Sequence, residues 1–471
     1  MLSFLYWTVL IFIRINMELK EVFKANDIRG VYGKILDDSL VYKIGRAVVK
    51  FLGCKEIIVG RDMRLSSSHL FKSLVKGLTE SGADVFNIGL VDTPLIYFAS
   101  GFYKKPGVMI TASHNPADYN GVKIVKAGAK PIDSHAGFDK IREIIEKEDF
   151  IILGRKGRVL KKDIFDNYKK YIFSFIDRKK IEQVRIVIDA GNGMAGKIVP
   201  LIYNEFRIQI APLYFKLDGR FPNHVPNPII KKNVKVLSER VIKKRADFGI
   251  AFDGDMDRVV FIDEKGKFIN PSFLGALLAK YLLNKNKGPQ RAIIYSSAAS
   301  RIIRDITLNY KGKPLREKVG HVFIKSRMRK TDALFGMEHS GHYYYRDNYY
   351  ADSGLITSLL VLEIYSMAKN NGKKFSDLFK EFNKYAQARE VSLKLRDGKH
   401  ILERIERYYL RKNGLRKVDY FDGLWIEFDD YWFSVRKSNT EPLLRINLEA
   451  KNKIIMRKKL KEILGVVRKI D

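Results

Sequence analysis

The sequence predicts an α/β protein: three α/β blocks of similar rhythm, then one C-terminal α+β block. Three observations carry that prediction. From Lys55, short apolar runs alternate with helical patterns, as in βαβ units built on a parallel sheet. The alternation restarts at VRIVIDAGNGMAG (184–196) and again near Asn270. From about Ala386 it gives way to successive strand-like runs, EVSLKL, GLWIEFD, YWFSVRKS and LLRINLEA. With helical stretches at 400–412 and 451–463, these predict an antiparallel sheet.

In order along the chain, KEIIVGRD (55–62) reads as a buried strand. Ser66 to Ser68 offer N-caps for a helix ending near Gly82. DVFNIGL (84–90) is the next strand, and Pro94 opens the next helix. GVMITAS (107–113) is a strand that runs straight into a polar Ser-His-Asn-Pro. In the second block, strands are expected at 184–190 and 207–215, and the block ends in ADFGIAFDGDMDRVVFID, two strands joined by a loop. The third block holds a helix at LGALLAKYLLN, a strand at 291–297 and a long helix in SGLITSLLVLEIYSMAKNN. The charged stretch KNNGKKFSDL (369–378) is the expected linker to the last block.

The 471 residues suit about three domains, with two to four tolerable. At 46% hydrophobic residues the chain can bury several cores, which excludes a mainly disordered protein. Its one cysteine, Cys54, closes no intrachain disulfide and excludes a cysteine-based metal site, so a reducing, cytoplasmic setting is expected. The net charge of +34 favours anionic partners. The lysines are spread over the whole chain on solvated faces, which argues against a nucleic-acid groove. Residues 2–13 are largely apolar but short of the ~20 residues of a membrane span, and they lack the flanks of a signal peptide. Met17 opens a stretch that reads as a natural start. Residues 1–16 are therefore expected to be a mis-assigned upstream start or a weak surface anchor, with no stable membrane association.

Four motifs offer chemistry. In Asp253-Gly254-Asp255-Met256-Asp257-Arg258, three carboxylates at alternate positions follow the apolar run FGIAF. In a turn they converge, and hard oxygens in that number suit Mg²⁺, with Arg258 beside an anionic ligand. An EF-hand is rejected, because its sixth position, where glycine belongs, is Arg258. In Thr111-Ala112-Ser113-His114-Asn115-Pro116, Ser113 can act as a nucleophile or phosphate carrier assisted by His114, although such a turn is often merely capped. No GxSxG elbow supports a hydrolase. Arg436-Lys437-Ser438-Asn439-Thr440-Glu441-Pro442 suits a phosphate cradle, with a hairpin turn as the competing reading. Glu338-His339-Ser340-Gly341-His342 lacks the spacing of a zinc helix and offers Glu338 and Ser340 to sugar hydroxyls. Finally, residues 191–196 match GxGxxG, with Gly191, Gly193 and Gly196. That leaves open an NAD-dependent oxidoreductase, against a plain tight βα turn.

Together the motifs resemble the α-D-phosphohexomutase superfamily, and closely its phosphomannomutase/phosphoglucomutase group. The likeness runs from about Val22 through FKANDIRG (23–30), VGRDMRLSS (59–67), TPLIYFA (93–99), TASHNPADYNGVKI (111–124), DAGNGMAG (189–196), DGRFPNHVPNP (218–228), DGDMDR (253–258), VGHVFIK (319–325), EHSGH (338–342) and RKSNTEP (436–442). The resemblance implies three α/β domains and an α+β domain around a central cleft. The expected boundaries are an extension at 1–16, then 17–158 with the phosphoserine loop, 159–263 with the metal loop, 264–380 with the sugar loop and 381–471 with the phosphate loop. It further implies interconversion of hexose 1- and 6-phosphates of mannose and/or glucose, with hexose 1,6-bisphosphate as intermediate and activator. Ser113 would be the phosphoserine, and Mg²⁺ would be held by Asp253, Asp255, Asp257 and the modified Ser113. Arg29, Lys123, His321 and His342 would serve in proton transfer or charge stabilisation. Arg258, Glu338 and Ser340 would bind substrate, and Arg436, Ser438, Asn439 and Thr440 the phosphate not being transferred. Asn439 leans away from the alternative, a phosphoglucosamine mutase. The expected partners are small sugar phosphates, for a monomer or homo-oligomer.

Overall fold

The computed structural model describes residues 19–23, 27–132, 136–394, 400–437 and 443–470. Four sheets follow one another along the chain. The first is ordered Ile28–Val31, Tyr119–Lys126, Gly107–Ile110, Glu56–Arg61, Asp84–Leu90, Val159–Lys161, with Lys130–Pro131 added to Tyr119–Lys126. The second is Val259–Asp263, Phe248–Phe252, Arg185–Asp189, Gln209–Leu213. The third is Lys313–Glu317, Ala292–Ser296, Phe335–Met337, Tyr343–Tyr345, Ala351–Asp352. The fourth is antiparallel throughout: Ala386–Gln387, Leu443–Ala450, Tyr431–Lys437, Leu424–Phe428, Leu415–Asp419, with Val391–Lys394 also on Leu443–Ala450.

The parallel sheets expected for the first three blocks are mixed. Gly107–Ile110 pairs parallel with Glu56–Arg61 but antiparallel with Tyr119–Lys126. Phe248–Phe252 and Phe335–Met337 likewise have one parallel neighbour and one antiparallel neighbour that follows in sequence. The reason lies in the connections. A crossover to a parallel neighbour needs a dozen or more residues, whereas the loops 111–118, 253–258 and 338–342 are short and return the chain beside the strand it just left. The segment 438–442 also joins an antiparallel pair, Tyr431–Lys437 and Leu443–Ala450. In the first three sheets the chemistry-bearing loops 111–118, 253–258 and 338–342 are thus the tips of strand returns, each following the carboxyl end of a strand with a parallel neighbour, the edge where open α/β sheets bind ligands.

The first three blocks share one continuous apolar core. It runs from Ile96 and Tyr168 through Ile188, Phe248 and Leu278 to the helix Gly354–Lys369, which is buried on nearly all sides. A helix apolar all round belongs inside, so this one cements the blocks together. The last block keeps its own core, with Ile405, Tyr409, Phe433 and Ile446. The expected linker at 369–378 is not free chain. Phe375 is fully buried and stacks on Phe248 at 4.4 Å, so the chain leaves the shared core only after Phe382. Just past the boundary placed at 158, Val159–Lys161 pairs with Asp84–Leu90 and extends the first sheet. Among the described residues no helix is long and apolar enough to cross a membrane. Residues 1–16 lie outside the described residues.

Candidate active site

The loop that carries Ser113 is moulded on one guanidinium. Arg64 Nη1 donates to the carbonyls of Pro116 (2.6 Å) and Tyr119 (2.9 Å), and Nη2 to those of Ser113 (2.8 Å) and Asn115 (2.7 Å). Arg64 is buried, so its charge needs a partner. Asp62 supplies one at 3.3 Å, and the Phe221 ring covers the guanidinium. So gathered, Ser113 adopts a left-handed φ of 49°, an uncommon conformation for a non-glycine residue. Its amide donates to Thr111 Oγ1 at 2.9 Å, and its hydroxyl donates to Asp253 Oδ2 at 2.7 Å. His114 Nδ1 lies 3.3 Å from the same hydroxyl. Arg29 is tied to Asn115 Oδ1 and Asp27, so it braces this loop from the neighbouring strand.

Asp253, Asp255 and Asp257 are all buried and present carboxylate oxygens within 4.8 Å of one another. The turn that gathers them has Met256 at a φ of 63°. Lys123 Nζ bridges Asp255 Oδ2 (2.7 Å) and Asp257 Oδ2 (2.6 Å), and Thr93 Oγ1 donates to Asp255 Oδ2 at 2.6 Å. Among the described residues, Asp255 Oδ1 and Asp257 Oδ1 are buried with no hydrogen-bond partner. Orphan carboxylate oxygens facing one point are what a hard divalent cation requires, so the residues fit such an ion. Burial, then repulsion from Asp257 and Asp255, pushes the Asp253 carboxyl well above its ordinary range. Burial also raises Asp257, but Lys123, His342 and Arg258 outweigh it and hold that carboxyl well below. Burial lowers Lys123, yet Asp255 and Asp257 prevail and keep its ammonium firmly charged.

Glycines let the loops meet. A Cβ on Gly254 would lie 2.5 Å from the Ser113 carbonyl oxygen, so the aspartate loop approaches the serine loop only as glycine. A Cβ on Gly193 would lie 2.8 Å from Gly254 Cα, and the Met194 amide donates to the Gly254 carbonyl at 2.9 Å. The turn at 191–196 is therefore filled by the aspartate loop. The close backbone approach that a dinucleotide pyrophosphate needs at its second glycine is taken by protein, which removes the structural basis for the oxidoreductase reading.

The third block joins directly. Arg258 Nε donates to His342 Nε2 at 3.1 Å, and the Val259 amide donates to the Gly341 carbonyl at 3.1 Å. His342 Nδ1 is 2.9 Å from Ser340 Oγ, and His342 Nε2 is 3.4 Å from Asp257 Oδ1. Glu338 accepts from the Gly320 amide at 2.8 Å and from the Tyr344 hydroxyl at 2.5 Å. His321, next to Gly320, shares a small cavity of about 20 Å³ with Lys123, Lys325 and Tyr97. Its Nδ1 has no partner, and burial, with Lys325 and Lys123 nearby, lowers its pKa well below 6.5. Arg436 ends its strand beside Glu390, which also faces His339. Ser438, Asn439 and Thr440 lie outside the described residues.

Sequence reasoning missed several residues that shape this centre. Arg64 and Thr93 sit inside quoted motifs. A charged side chain next to a buried strand was the available signal for Arg64. Lys325 is buried, pairs with Asp352 at 2.7 Å and sits over the Tyr97 ring. Asp352, with Asp257 and His342, forms a second cluster of potential ligands. Glu390 carried no signal at all.

A serine and a lysine from the first α/β domain, a cation-ready carboxylate cluster from the second and His342 from the third, beside a separate α+β domain, define the phosphohexomutase class of fold. Models of the phosphoglucomutase/phosphomannomutase domains match in order: α/β/α domain I over residues 20–152, domain II over 165–266, domain III over 270–385, and the C-terminal domain over 371–465. The chain is 38% identical to a phosphomannomutase of Vibrio cholerae serotype O1, over 95% of this chain and 98% of that protein. A phosphomannomutase of Escherichia coli strain K12 is also 38% identical, over 92% and 95%. A crystal structure of a phosphoglucomutase/phosphomannomutase family protein from Burkholderia thailandensis superposes with a TM-score of 0.86 at 30% identity, covering 96% of this chain and 97% of that one. This chain belongs to the phosphoglucomutase/phosphomannomutase family, and it is a mutase enzyme.

Proposed function

We propose that the enzyme interconverts the 1- and 6-phosphates of a hexose, mannose and/or glucose, by passing a phosphoryl group through Ser113. The observation that carries this reading is the Ser113 hydroxyl held 2.7 Å from Asp253, beside Asp255 and Asp257, each of which has a buried oxygen that accepts no hydrogen bond among the described residues. The two relatives compared above are phosphomannomutases, which favours mannose. Mg²⁺ held by Asp253, Asp255, Asp257 and the Ser113 oxygen would neutralise charge on the transferring phosphoryl group.

In the first half-reaction the free hydroxyl of a hexose phosphate bonds to the phosphorus carried on Ser113. The P–Oγ bond breaks and the hydroxyl proton leaves to a base. The product is a hexose 1,6-bisphosphate, which must turn end for end before returning its other phosphate to Ser113. Phosphoryl transfer asks the protein mainly for positioning and a positive field. Lys123, locked in its charged form by Asp255 and Asp257, suits the field. His321, neutral and with an unpartnered Nδ1, suits the proton acceptor. Arg258, oriented by His342, faces the transferring phosphate, and Arg29 steadies the loop through Asn115. Glu338 and Ser340 read sugar hydroxyls, and Arg436, Ser438, Asn439 and Thr440 grip the phosphate at rest.

The test is a panel of mannose, glucose and glucosamine 1-phosphates with Mg²⁺ and catalytic hexose 1,6-bisphosphate, scored for 6-phosphate product. Turnover of mannose or glucose is expected, and none with either sugar overturns the proposal. Ser113→Ala should abolish turnover and the phosphate visible by intact mass while the circular dichroism stays unchanged.

A further inference from the structure

Glu390 precedes the strand Val391–Lys394 and has no part in the chemistry above. Its carboxylate nevertheless gathers four side chains. Oε2 accepts from Arg436 Nη2 at 3.3 Å and from Asn447 Nδ2 at 3.2 Å, and Oε1 accepts from Arg445 Nη1 at 2.7 Å. From the third domain, His339 Nε2 approaches Oε2 to 3.7 Å. Arg436 and Arg445 face each other directly across the pair Tyr431–Lys437 and Leu443–Ala450. Like charges directly opposite in an antiparallel pair repel, and Glu390 is the anion that accepts from both. Although burial works against it, the carboxyl is held well below its usual range by His339, Arg436 and Arg445.

Glu390 engages Arg436 through Nη2, while Arg436 Nε is buried with no hydrogen-bond partner among the described residues. An N–H donor of the guanidinium is therefore left for an anionic oxygen. His339 stands beside Glu338 in the loop proposed to read the sugar, so the same carboxylate faces both that loop and the proposed phosphate-gripping arginine.

We infer that Glu390 is a positioning residue: it aims Arg436 at the phosphate that is not transferred and couples that grip to His339 of the sugar loop. The inference rests on the phosphate-gripping role proposed for Arg436.

Glu390→Gln keeps the shape and removes the charge. For a hexose 1-phosphate that the wild type turns over, KM should rise about tenfold, the worth of one charge-assisted hydrogen bond, with kcat within about threefold. Glu390→Asp, which keeps the charge on a shorter arm, should recover part of the loss. In an Arg436→Ala background Glu390→Gln should add nothing to KM, because its effect runs through that guanidinium. An unchanged or lowered KM, or effects that multiply in the double variant, overturns the inference. If the wild type turns over no hexose phosphate, the proposed function fails instead. Calorimetric binding of inorganic phosphate then decides for Glu390, which should show about tenfold weaker binding in Glu390→Gln and is overturned by equal binding.

Discussion

Replacing Asp92 with asparagine tests how the centre is buried. Asp92 is fully buried directly before the helix Thr93–Tyr103, whose first residue supplies the hydroxyl on Asp255. Among the described residues its Oδ1 has no side-chain partner, and Oδ2 accepts from the Tyr168 hydroxyl at 3.3 Å. Burial therefore pushes its pKa from 3.8 up to about 7. At 1.36 kcal/mol per pH unit, that rise corresponds to about 4 kcal/mol. The folded pKa lies above the unfolded one, so the stability tied to the protonated carboxyl is complete below 3.8 and is lost as pH rises through about 7. The uncharged amide of the variant carries no such dependence. Between about pH 5 and pH 8.5, Asp92→Asn should gain roughly 2–3 kcal/mol on the wild type, the part of the loss that falls in that window. Parallel urea titrations at both values, followed by fluorescence, measure the gap. A gap that does not change with pH, or that moves in favour of the wild type as pH rises, refutes the argument.

Other expectations follow from particular contacts. Arg64→Met leaves Asp62 buried without its ion-pair partner and the serine loop without four carbonyl anchors, so it should cost about 3–5 kcal/mol in denaturant titrations, together with most of the activity. Gly254→Ala drives a Cβ to 2.5 Å from the Ser113 carbonyl. It should cut kcat by roughly 10²-fold or more, the penalty for misplacing reacting groups, and wild-type kcat would refute the packing argument. His321→Asn should lose about 10²–10⁴-fold in kcat/KM. Because the pKa of His321 lies well below 6.5, the wild-type advantage over this variant should fade only under acidic conditions. A pH–rate comparison in which it fades at alkaline pH would remove His321 as the proton acceptor.

Much of the architecture was legible because it is written locally. Strand and helix periods, and the contiguous runs at 111–116 and 253–258, depend on neighbours a few residues apart. Ser113 and the three aspartates could therefore be read as a nucleophile and a cation site before any folding. Arg64 was not legible, because its partners lie about fifty residues away in the loop at 113–119. Phe375 looked like linker because charge surrounds it, whereas its burial is decided by Phe248, on a strand of another domain. Gly193 fitted either a cofactor turn or a plain tight βα turn, and the approach of Gly254 shows what fills the space.

By itself, then, the order of residues determined which side chains can accept a proton, carry a phosphate or bind a hard cation, and on what turns they stand. The tertiary structure decided which of them meet. Antiparallel returns bring three loop tips to one point, where burial and unlike neighbours split chemically identical carboxyls, raising Asp253 and lowering Asp257. That division depends on distances between residues far apart in the chain, and no local pattern encodes those distances.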